Sequence, residues 1–448
     1  MKKIDFKEIV EHLKGVGYVY PSSDIYGGLA NFWDMGPLGA VLKSEIKNMW
    51  IKEFVYKKDN NFLIDSQIIL NNKVWENSGH VDTFSDLLID CKECKKRYKL
   101  EDLVDLSKYD EKTLDKEINK LKCPNCKKSN FSKARHFNLM FEINSGITDG
   151  SNKLYLRPET AQGIFLNFKK ILRTTRTHLP IGVAQIGKSF RNEISPGNFI
   201  FRTREFEQME LELFVKEKES NSIFNEYKKN YINFIINLGI KKKNLKNIEI
   251  DKNELAHYAK RTVDILYNYP FGWSELMGIA NRGSYDLEKH QKGSGEDLTY
   301  LDPELNKKIM PHIIEPSIGV ERLMLAILCD SFEKEKLQNN EERIVMKINK
   351  KIAPIQIAVM PLTNKIHKEA FNLYKELKEN LDYRLSYEKS GSIGKRYRRH
   401  DAIGTPFVIT FDFDSIQKKV VTIRNRDTME QVKVKIDNLE KKLFSMMN

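Results

Sequence analysis

The chain has 448 residues, of which 40% are hydrophobic and 10% aromatic, which is ample for globular folding and long enough for two or three domains. Lysine and arginine outnumber aspartate and glutamate by 75 to 62, and the resulting charge of +13 favours an anionic partner such as nucleic acid. Surface lysines that serve only solubility would give the same net charge. The start, MKKIDFKEIVEHLKG, lacks the apolar stretch of a signal peptide, and no apolar run approaches the span of a bilayer. We therefore expect a cytoplasmic protein with no membrane association.

The first element with a clear boundary lies at residues 35–57. Gly36, Pro37 and Gly39 mark a turn, and the apolar residues that follow are three and four positions apart. This pattern predicts a helix that begins directly after the turn.

A lysine-rich insertion at residues 91–135 carries two CxxC pairs separated by 28 residues. Four thiolates at such spacing predict a closed, tetrahedral zinc site with a structural role. A reduced empty site and a redox pair are the alternatives. The four candidate ligands are Cys91, Cys94, Cys123 and Cys126.

Residues 186–214 are predicted to form two strands around a Pro-Gly loop. Because side chains alternate along a strand, Met209, Leu211 and Leu213 lie on one face of the returning strand, and polar or aromatic residues lie on the other. The second face carries Arg202, Arg204, Phe206, Gln208, Glu210 and Glu212, and on the first strand Gln185, Gly187, Ser189, Arg191 and Glu193 share a face. A solvent-facing hairpin shows such a pattern. However, guanidinium groups also bind phosphate, rings stack on bases and carboxylates hold ammonium groups, so a site for a nucleotide and an amine is the second hypothesis.

Two further segments carry similar groups. Glu159 follows a proline in YLRPETAQGIF, residues 155–165. Residues 311–328 predict a strand that ends near Glu315 and Ser317, followed by an apolar helix that begins after Gly319 and includes Arg322. A helix N-terminus behind a glycine is a favourable phosphate site, although an arginine there also forms surface ion pairs.

The charged segment 331–352 predicts a domain boundary, so we divide the chain into residues 1–345, with the insertion at 91–135, and residues 346–448. Beyond the boundary, buried strands and an amphipathic helix predict a compact α/β module. Its basic stretch GKRYRRHD is either a solvated loop or a contact for RNA.

Taken in order, these motifs resemble the class II aminoacyl-tRNA synthetases. Phe190-Arg191-Asn192-Glu193 and the returning strand are similar to motif 2, GVERLMLAIL to motif 3 and MGPLGAVLKSEIKNMW to motif 1. Longer stretches, including SDIYGGLANFWDMGPLG, VWENSGHVDTF, LRPETAQGIFLNF, REFEQMELELF and IEPSIG, resemble the homodimeric glycyl-tRNA synthetases. SIGKRYRRHDAIGTPFVITFD is similar to the C-terminal anticodon-binding domain of that family.

The resemblance implies an α+β protein, in which a class II catalytic domain built on an antiparallel β-sheet carries the zinc-knuckle insertion and precedes an α/β anticodon-binding domain. It also implies a homodimer formed through motif 1. The implied reaction joins glycine and ATP, with Mg²⁺, to give glycyl-adenylate and pyrophosphate, and then transfers glycine to the 3′ end of tRNA(Gly). Such chemistry needs positioning and charge stabilisation and no protein nucleophile.

The resemblance also assigns roles to residues. Arg191, Glu193 and Arg322 would be catalytic: Arg191 at the α-phosphate, Glu193 at the adenine amino group and Arg322 at the γ-phosphate. The implied ATP site comprises Arg191, Asn192, Glu193, Phe201, Arg202, Phe206, Glu275, Leu276, Gly319 and Arg322, with Phe206 stacked on adenine and Glu275 on the Mg²⁺ side. The implied glycine site comprises Glu159, Phe206, Gln208, Glu210, Glu315, Ser317 and Gly319.

Three further expectations follow from the resemblance. Lys99 lies where the family commonly has an arginine near the substrate, and a lysine lacks the bidentate fork of an arginine. Arg396, Arg398 and Arg399 are the candidates for anticodon contact. The alternatives are a synthetase for threonine, proline or serine, and a catalytically inactive tRNA-binding or accessory protein; an inactive relative would be free to lose the three catalytic residues, which this chain retains.

Overall fold

The computed structural model describes residues 5–106, 109, 111–144, 153–194, 197–256, 258–337 and 341–448. Within these ranges the α-helices are α1 (Phe6–Val16), α2 (Pro37–Ile51), α3 (Asn72–Asn77), α4 (His80–Thr83), α5 (Glu111–Ile118), α6 (Ala161–Thr175), α7 (Ser220–Asn237), α8 (Tyr285–Ser294), α9 (Val320–Ser331), α10 (His367–Asn380), α11 (Ile393–Ile403), α12 (Phe413–Gln417) and α13 (Leu439–Met447). Across the described residues, no helix combines the length and the apolar character needed to cross a membrane.

The strands of the same ranges are β1 (Val19–Pro21), β2 (Trp33–Met35), β3 (Asn61–Leu63), β4 (Ser85–Asp90), β5 (Arg97–Lys99), β6 (Arg135–Asn138), β7 (Phe141–Asn144), β8 (Lys153–Leu156), β9 (Ile181–Phe190), β10 (Glu205–Val215), β11 (Leu245–Glu249), β12 (Arg261–Tyr269), β13 (Gly272–Gly283), β14 (Tyr300–Asp302), β15 (Lys307–Ile309), β16 (His312–Gly319), β17 (Phe332–Lys336), β18 (Glu342–Met346), β19 (Ile357–Pro361), β20 (Leu385–Tyr387), β21 (Phe407–Phe411), β22 (Val420–Asn425) and β23 (Gln431–Lys435).

A seven-stranded sheet forms the centre of the fold, in the order β11-β12-β13-β16-β10-β9-β3. All neighbours are antiparallel except β3 and β9, which are parallel. The alternation predicted for the returning strand of the hairpin is confirmed. Met209 and Leu211 of β10 belong to the main core together with Trp50 of α2. On the opposite face the ring of Phe214 stacks on Phe168 of α6 at 4.2 Å.

The helix predicted after the Gly-Pro-Gly turn is α2, with Pro37 in its first turn, where the missing N–H of proline costs no hydrogen bond. The cysteine-bearing segment is built on a separate three-stranded sheet in the order β5-β4-β6. A small apolar core, which includes Ile89, Leu100 and Phe131, holds this sheet to the chain around the cysteines.

The charged segment predicted to mark a domain boundary contains the antiparallel hairpin β17–β18. Its alternating charges are paired, because Lys347 reaches Glu333 at 2.7 Å and Glu335 at 2.8 Å. Arg343 of the same hairpin binds the buried carboxylate of Asp401 in α11 at 2.9 Å. The hairpin therefore joins the two halves of the chain.

The C-terminal module is a five-stranded sheet in the order β20-β19-β21-β22-β23. The first three of these strands are parallel, and the last three are antiparallel. Helices α10 and α13 contribute Leu373, Leu377 and Leu443 to its core. The whole basic stretch GKRYRRHD, for which a solvated loop was one alternative, lies in α11.

Candidate active site

The polar face of the β9–β10 hairpin forms the floor of a cavity of about 380 Å³. Its walls come from β13, β16, the first turn of α9 and the segment before α6. Of the residues predicted to bind ATP or glycine, those that line it are Glu159, Arg191, Glu193, Phe201, Arg202, Phe206, Gln208, Glu210, Glu275, Leu276, Glu315, Ser317, Gly319 and Arg322. Asn192 does not line it, and its backbone N–H donates to the carbonyl of Leu139 at 2.7 Å.

The loop after β9 carries Arg191, whose Nε donates to the carbonyl of Pro158 at 3.0 Å. The guanidinium also lies over two rings, 5.4 Å from the centroids of Phe84 and of Phe206. These contacts fix the guanidinium plane, and a fixed fork suits two oxygens of a phosphate or carboxylate.

A close approach of two chain segments positions Glu159. Arg157 donates to the carbonyls of Lys188 at 2.7 Å and Ser66 at 2.9 Å, which holds the segment before α6 against β9. A Cβ at Gly187 would lie 2.1 Å from the Arg157 guanidinium, so β9 needs a glycine at this crossing. The packing at Gly187 therefore places Glu159 beside the hairpin.

Glu210 lies on the cavity floor and accepts hydrogen bonds on both carboxyl oxygens. One oxygen accepts from the backbone N–H of Thr160 at 2.8 Å and from the hydroxyl of Thr160. The other accepts from Gln208 at 3.0 Å and Ser317 at 2.9 Å. Burial and the negative charge of Glu159 raise the pKa of Glu210, and the hydrogen bonds oppose that shift.

Glu159 is held from two sides. One oxygen accepts from Gln162 at 2.9 Å, and the other lies 3.4 Å from Nε2 of His80. The Nδ1 atom of His80 is 2.8 Å from the hydroxyl of Ser78. Burial opposes ionisation of Glu159, but His80 and the nearby guanidinium of Arg282 outweigh burial and hold the pKa of Glu159 well below its usual range.

The third glutamate of the cavity, Glu315, is bound by Arg282. The Nη1 atom of Arg282 donates to both oxygens of Glu315, at 2.9 and 3.0 Å, while Nε and Nη2 donate to Asp286 at 2.7 and 2.8 Å. The guanidinium is 1% exposed and lies 3.8 Å from the ring centroid of Tyr258. Burial raises the pKa of Glu315 to about 8, against the opposing charge of Arg282.

The opposite end of the cavity is cationic. Gly319 is the N-cap of α9, so the first backbone N–H groups of that helix and Arg322 lie together. Arg322 lies over the ring of Phe201 at 4.7 Å, and its Nη1 is 3.1 Å from the carboxylate of Glu275. Asp264 also lines this end, and burial together with the charge of Glu275 raises the pKa of Asp264 to about 6.

Lys99 does not line the cavity, but the structure brings it next to the hairpin. Its Nζ is 2.6 Å from Asp86 and 3.9 Å from Glu193. The insertion therefore contacts the candidate site at Glu193 through a lysine that is 6% exposed.

Several polar residues of the site were missed by sequence reasoning, namely His80, Thr160, Gln162, Asp264, Arg282 and Asp286. Arg282 had a usable signal, because a lone arginine ends the apolar stretch LMGIAN and an aspartate follows four residues later. His80 and Gln162 had none, because they reach Glu159 only after their segments have packed together.

The four cysteines of the insertion converge. The Sγ atoms of Cys91 and Cys126, and those of Cys94 and Cys123, are 3.6 Å apart, and all four atoms lie within 4.8 Å of one another. Tetrahedral zinc with Zn–S bonds of about 2.3 Å requires S···S separations of about 3.8 Å, so the spacing fits zinc. Burial opposes ionisation of Cys123, yet backbone N–H groups and the Tyr98 hydroxyl, 3.3 Å away, lower its pKa to about 6.

The three arginines predicted to contact the anticodon separate into two groups. Arg398 and Arg399 have side chains that are 41% and 51% exposed, and both line a surface cavity of about 790 Å³ that also includes Arg424 and Tyr397. Arg396 is 2% exposed, and its guanidinium donates to backbone carbonyls of its own module, such as that of Pro361 at 2.7 Å. The structure contradicts direct anticodon contact for Arg396, because burial removes it from the surface.

Comparison with known proteins agrees with this architecture. Residues 137–331 match the family model described as tRNA synthetase class II core domain (G, H, P, S and T), and residues 356–445 match the anticodon binding domain. A glycine–tRNA ligase from Malacoplasma penetrans is 52% identical, covering 98% of this chain and 97% of its own length. Those of Caldanaerobacter subterraneus subsp. tengcongensis and Ureaplasma parvum serovar 3 are 49% and 51% identical, covering 98% and 97% of this chain and 98% and 94% of their own lengths. The chain belongs to the glycine–tRNA ligase family.

Proposed function

We propose that the chain activates glycine with ATP and transfers it to the 3′ end of tRNA(Gly). The observation that carries the proposal is the convergence of three glutamates, Glu159, Glu210 and Glu315, at one end of the cavity that holds Arg191 and Arg322. Carboxylates suit the ammonium group of a small amino acid, and the arginines suit the phosphates of a nucleotide.

In the first step, a carboxylate oxygen of glycine attacks the α-phosphorus of ATP. An O–P bond forms, the bond to the β-phosphate oxygen breaks and pyrophosphate leaves with the electron pair. Arg191 would hold the attacking carboxylate and the α-phosphate and neutralise charge as it develops. Phe206 would stack on adenine, Glu193 would accept a hydrogen bond from the adenine amino group, and Arg202 and Arg322 would hold the phosphate tail.

In the second step, the terminal ribose hydroxyl of the tRNA attacks the carbonyl carbon of glycyl-adenylate. The ester forms, AMP leaves and the hydroxyl proton passes to solvent or to the leaving phosphate. Since the reactive groups belong to the substrates, the protein contributes position and charge.

Glycine is also the amino acid that a tight pocket selects most easily, because any larger side chain must overlap the wall. An enzyme discriminates against a ligand that is one methylene smaller by only about 1–3 kcal/mol of binding free energy. Glycine has no smaller competitor, so this limit does not apply to it. Glu210 borders this pocket, and its position is fixed by hydrogen bonds from Gln208, Ser317 and Thr160.

The site fits Mg²⁺ at its ATP end. Asp264 and Glu275 both line that end, and the charge of Glu275 contributes to the raised pKa of Asp264. A cation would relieve this repulsion, and oxygen ligands are those that Mg²⁺ prefers. Bound with ATP, Mg²⁺ would neutralise phosphate charge, and Glu275 would help to hold it.

We propose that the four cysteines hold structural zinc. Their Sγ spacing supports this proposal. All four positions would be occupied by protein, so the zinc would stabilise the insertion and take no part in the chemistry. Through Lys99, the insertion would steady Glu193.

We further propose that residues 346–448 bind the anticodon and residues 1–345 carry the chemistry. Arg398 and Arg399, in a basic surface cavity with Tyr397, offer guanidinium and ring planes on which unpaired bases can stack. We expect recognition of cytosine at the second and third anticodon positions, because glycine codons require it.

A homodimer formed through motif 1 is also proposed, in the cytoplasm. The loop that leads into α2 exposes three large apolar side chains, with Ile25, Tyr26 and Leu29 exposed by 90%, 88% and 57%. A second copy of the chain would cover them. Light scattering coupled to size-exclusion chromatography would show about twice the 52.4 kDa mass of the chain for a dimer.

The experiment that tests the activity is amino-acid-dependent exchange between ATP and pyrophosphate. We expect exchange with glycine and at most traces with alanine or serine. The absence of exchange with glycine would contradict the proposal and favour the inactive tRNA-binding alternative.

A further inference from the structure

A fourth glutamate lies beneath the predicted glycine pocket and has no part in the mechanism above. Glu212 of β10 points to the same face as Glu210 and is 0% exposed. Among the residues that the structure describes, no donor makes a hydrogen bond to either of its carboxyl oxygens. A buried carboxylate with neither a cation nor a donor in contact is strongly disfavoured, and such a group stays neutral by keeping its proton.

The strand register places a second carboxyl group opposite Glu212. The pairs Glu210 with Ser317 and Leu213 with Ile314 bracket Glu212, which places it directly opposite Glu315 on β16. Like charges in such positions destabilise a sheet. Because Arg282 donates to both oxygens of Glu315, a negative charge is more stable on Glu315 than on Glu212. The proton of the pair is therefore held by Glu212.

The charges around Glu212 are unbalanced. On the described residues, the charged groups that face it are Glu210 on its own strand, Glu315 from β16, Arg282 from β13 and Asp286 from α8. Glu159 adds a further carboxylate beside Glu210. Five carboxyl groups thus face two guanidinium groups, because Arg157 also interacts with Glu210, and the other possible cations are His80 and His290. Since the carboxyl groups outnumber the arginines, the pocket of the free enzyme cannot ionise fully without strong repulsion.

We propose that the free enzyme holds a proton on Glu212 and that this proton leaves for solvent when the ammonium group of glycine binds among Glu159, Glu210 and Glu315. No covalent bond to carbon or phosphorus changes; the O–H bond of the carboxyl group breaks, and water or buffer accepts the proton. The ammonium group supplies the positive charge that the proton supplied before. The proposal deepens the proposed function and rests on it.

The pH dependence follows in sign. Burial, and in second place the charge of Glu315, raises the pKa of Glu212 well above the usual range, and the pKa of Glu315 is raised to about 8. These folded-state pKa values lie above those of the unfolded chain, so their contribution to stability is present at low pH and is lost as pH rises through about 8. Binding of an ammonium ion favours the deprotonated cluster, so its affinity rises as pH increases toward 8.

Calorimetry with two matched ligands tests the proposal. One ligand is the non-hydrolysable adenylate analogue glycylsulfamoyl-adenosine, and the other is its acetyl counterpart, which lacks the amine. Each is titrated into the full chain at pH 6.5 in two buffers of different ionisation enthalpy, so that the difference in heat reports the protons exchanged. We expect release of at least one proton with the glycyl ligand and none with the acetyl ligand.

Two variants locate the proton. Glu212→Gln puts a neutral amide where the neutral acid lies, so we expect the glycyl ligand to release about one proton fewer than it releases from the unaltered chain. Glu205→Gln, on the same strand but the opposite face, should release as many protons as the unaltered chain.

Binding of the glycyl ligand to the unaltered chain without release, or equal release from Glu212→Gln, would overturn the proposal. If Glu212→Gln does not fold, the comparison of the two ligands on the unaltered chain still decides whether a proton leaves. Failure of the proposed function is distinguishable, because the glycyl ligand would then bind no better than the acetyl ligand.

Discussion

Replacing Glu210 by glutamine removes one charge from the cavity while the shape of the side chain is kept. The oxygen bonded to Thr160 faces a backbone N–H, which can only donate, so the new amide oxygen must take that side. The new amide nitrogen then faces Gln208 and Ser317, and both of these can reverse to accept, by an amide flip or a hydroxyl rotation. The variant should therefore fold. Its melting temperature should fall by no more than about 4 °C for each kcal/mol lost from the free energy of unfolding.

The cost should instead appear in glycine binding. A hydrogen bond to a charged group contributes about 1.5–3 kcal/mol, so kcat/KM for glycine in pyrophosphate exchange should fall about 10- to 150-fold. KM for ATP should change less than about twofold, because Glu210 lies away from the arginines. Glu205→Gln is the control, since Glu205 is on the other face and pairs with Lys188 at 2.6 Å. An unchanged KM for glycine, or a parallel rise in KM for ATP, would refute the assignment of Glu210 to the ammonium group.

Three further predictions concern residues around the site and in the C-terminal module. Cys123→Ser should reduce the zinc content by metal analysis and lower the melting temperature, and unchanged metal content would exclude the four-cysteine site. His80→Gln should raise KM for glycine several-fold with kcat less affected, because Glu159 loses its imidazole partner; an unaltered KM would show that His80 does not position Glu159. Arg398→Ala should raise KM for tRNA in aminoacylation and leave pyrophosphate exchange intact, whereas Arg396→Ala should chiefly lower the melting temperature, because that guanidinium is buried. The reverse pattern for the two arginines would contradict their placement.

Local sequence rules predicted what depends on neighbouring residues. The alternation in β10 is enough to place Glu210 and Met209 on opposite faces of the strand. Only one register buries all of the apolar side chains on the same face. The two CxxC pairs likewise predict their own convergence, because each pair forms a turn.

The partners of these groups were not predictable in the same way. Arg282 reaches Glu315 across 33 positions of the chain, and His80 reaches Glu159 from a separate segment earlier in the chain. Only the packed sheet brings these groups together. The hairpin β17–β18 in the charged segment was not predicted, because its stability comes from ion pairs and from Asp401, which lies far along the chain. Arg396 was grouped with Arg398 by sequence proximity, although neighbours on a helix point in different directions.

The most direct test of the central claim is transfer of labelled amino acid to tRNA by the purified full chain. With ATP, Mg²⁺ and unfractionated tRNA, we predict that labelled glycine becomes acid-precipitable and base-labile, and that Arg191→Ala abolishes this signal. Labelled alanine and serine should give no signal above the background without enzyme. Failure to charge tRNA with glycine, or equal charging with alanine or serine, would contradict the account.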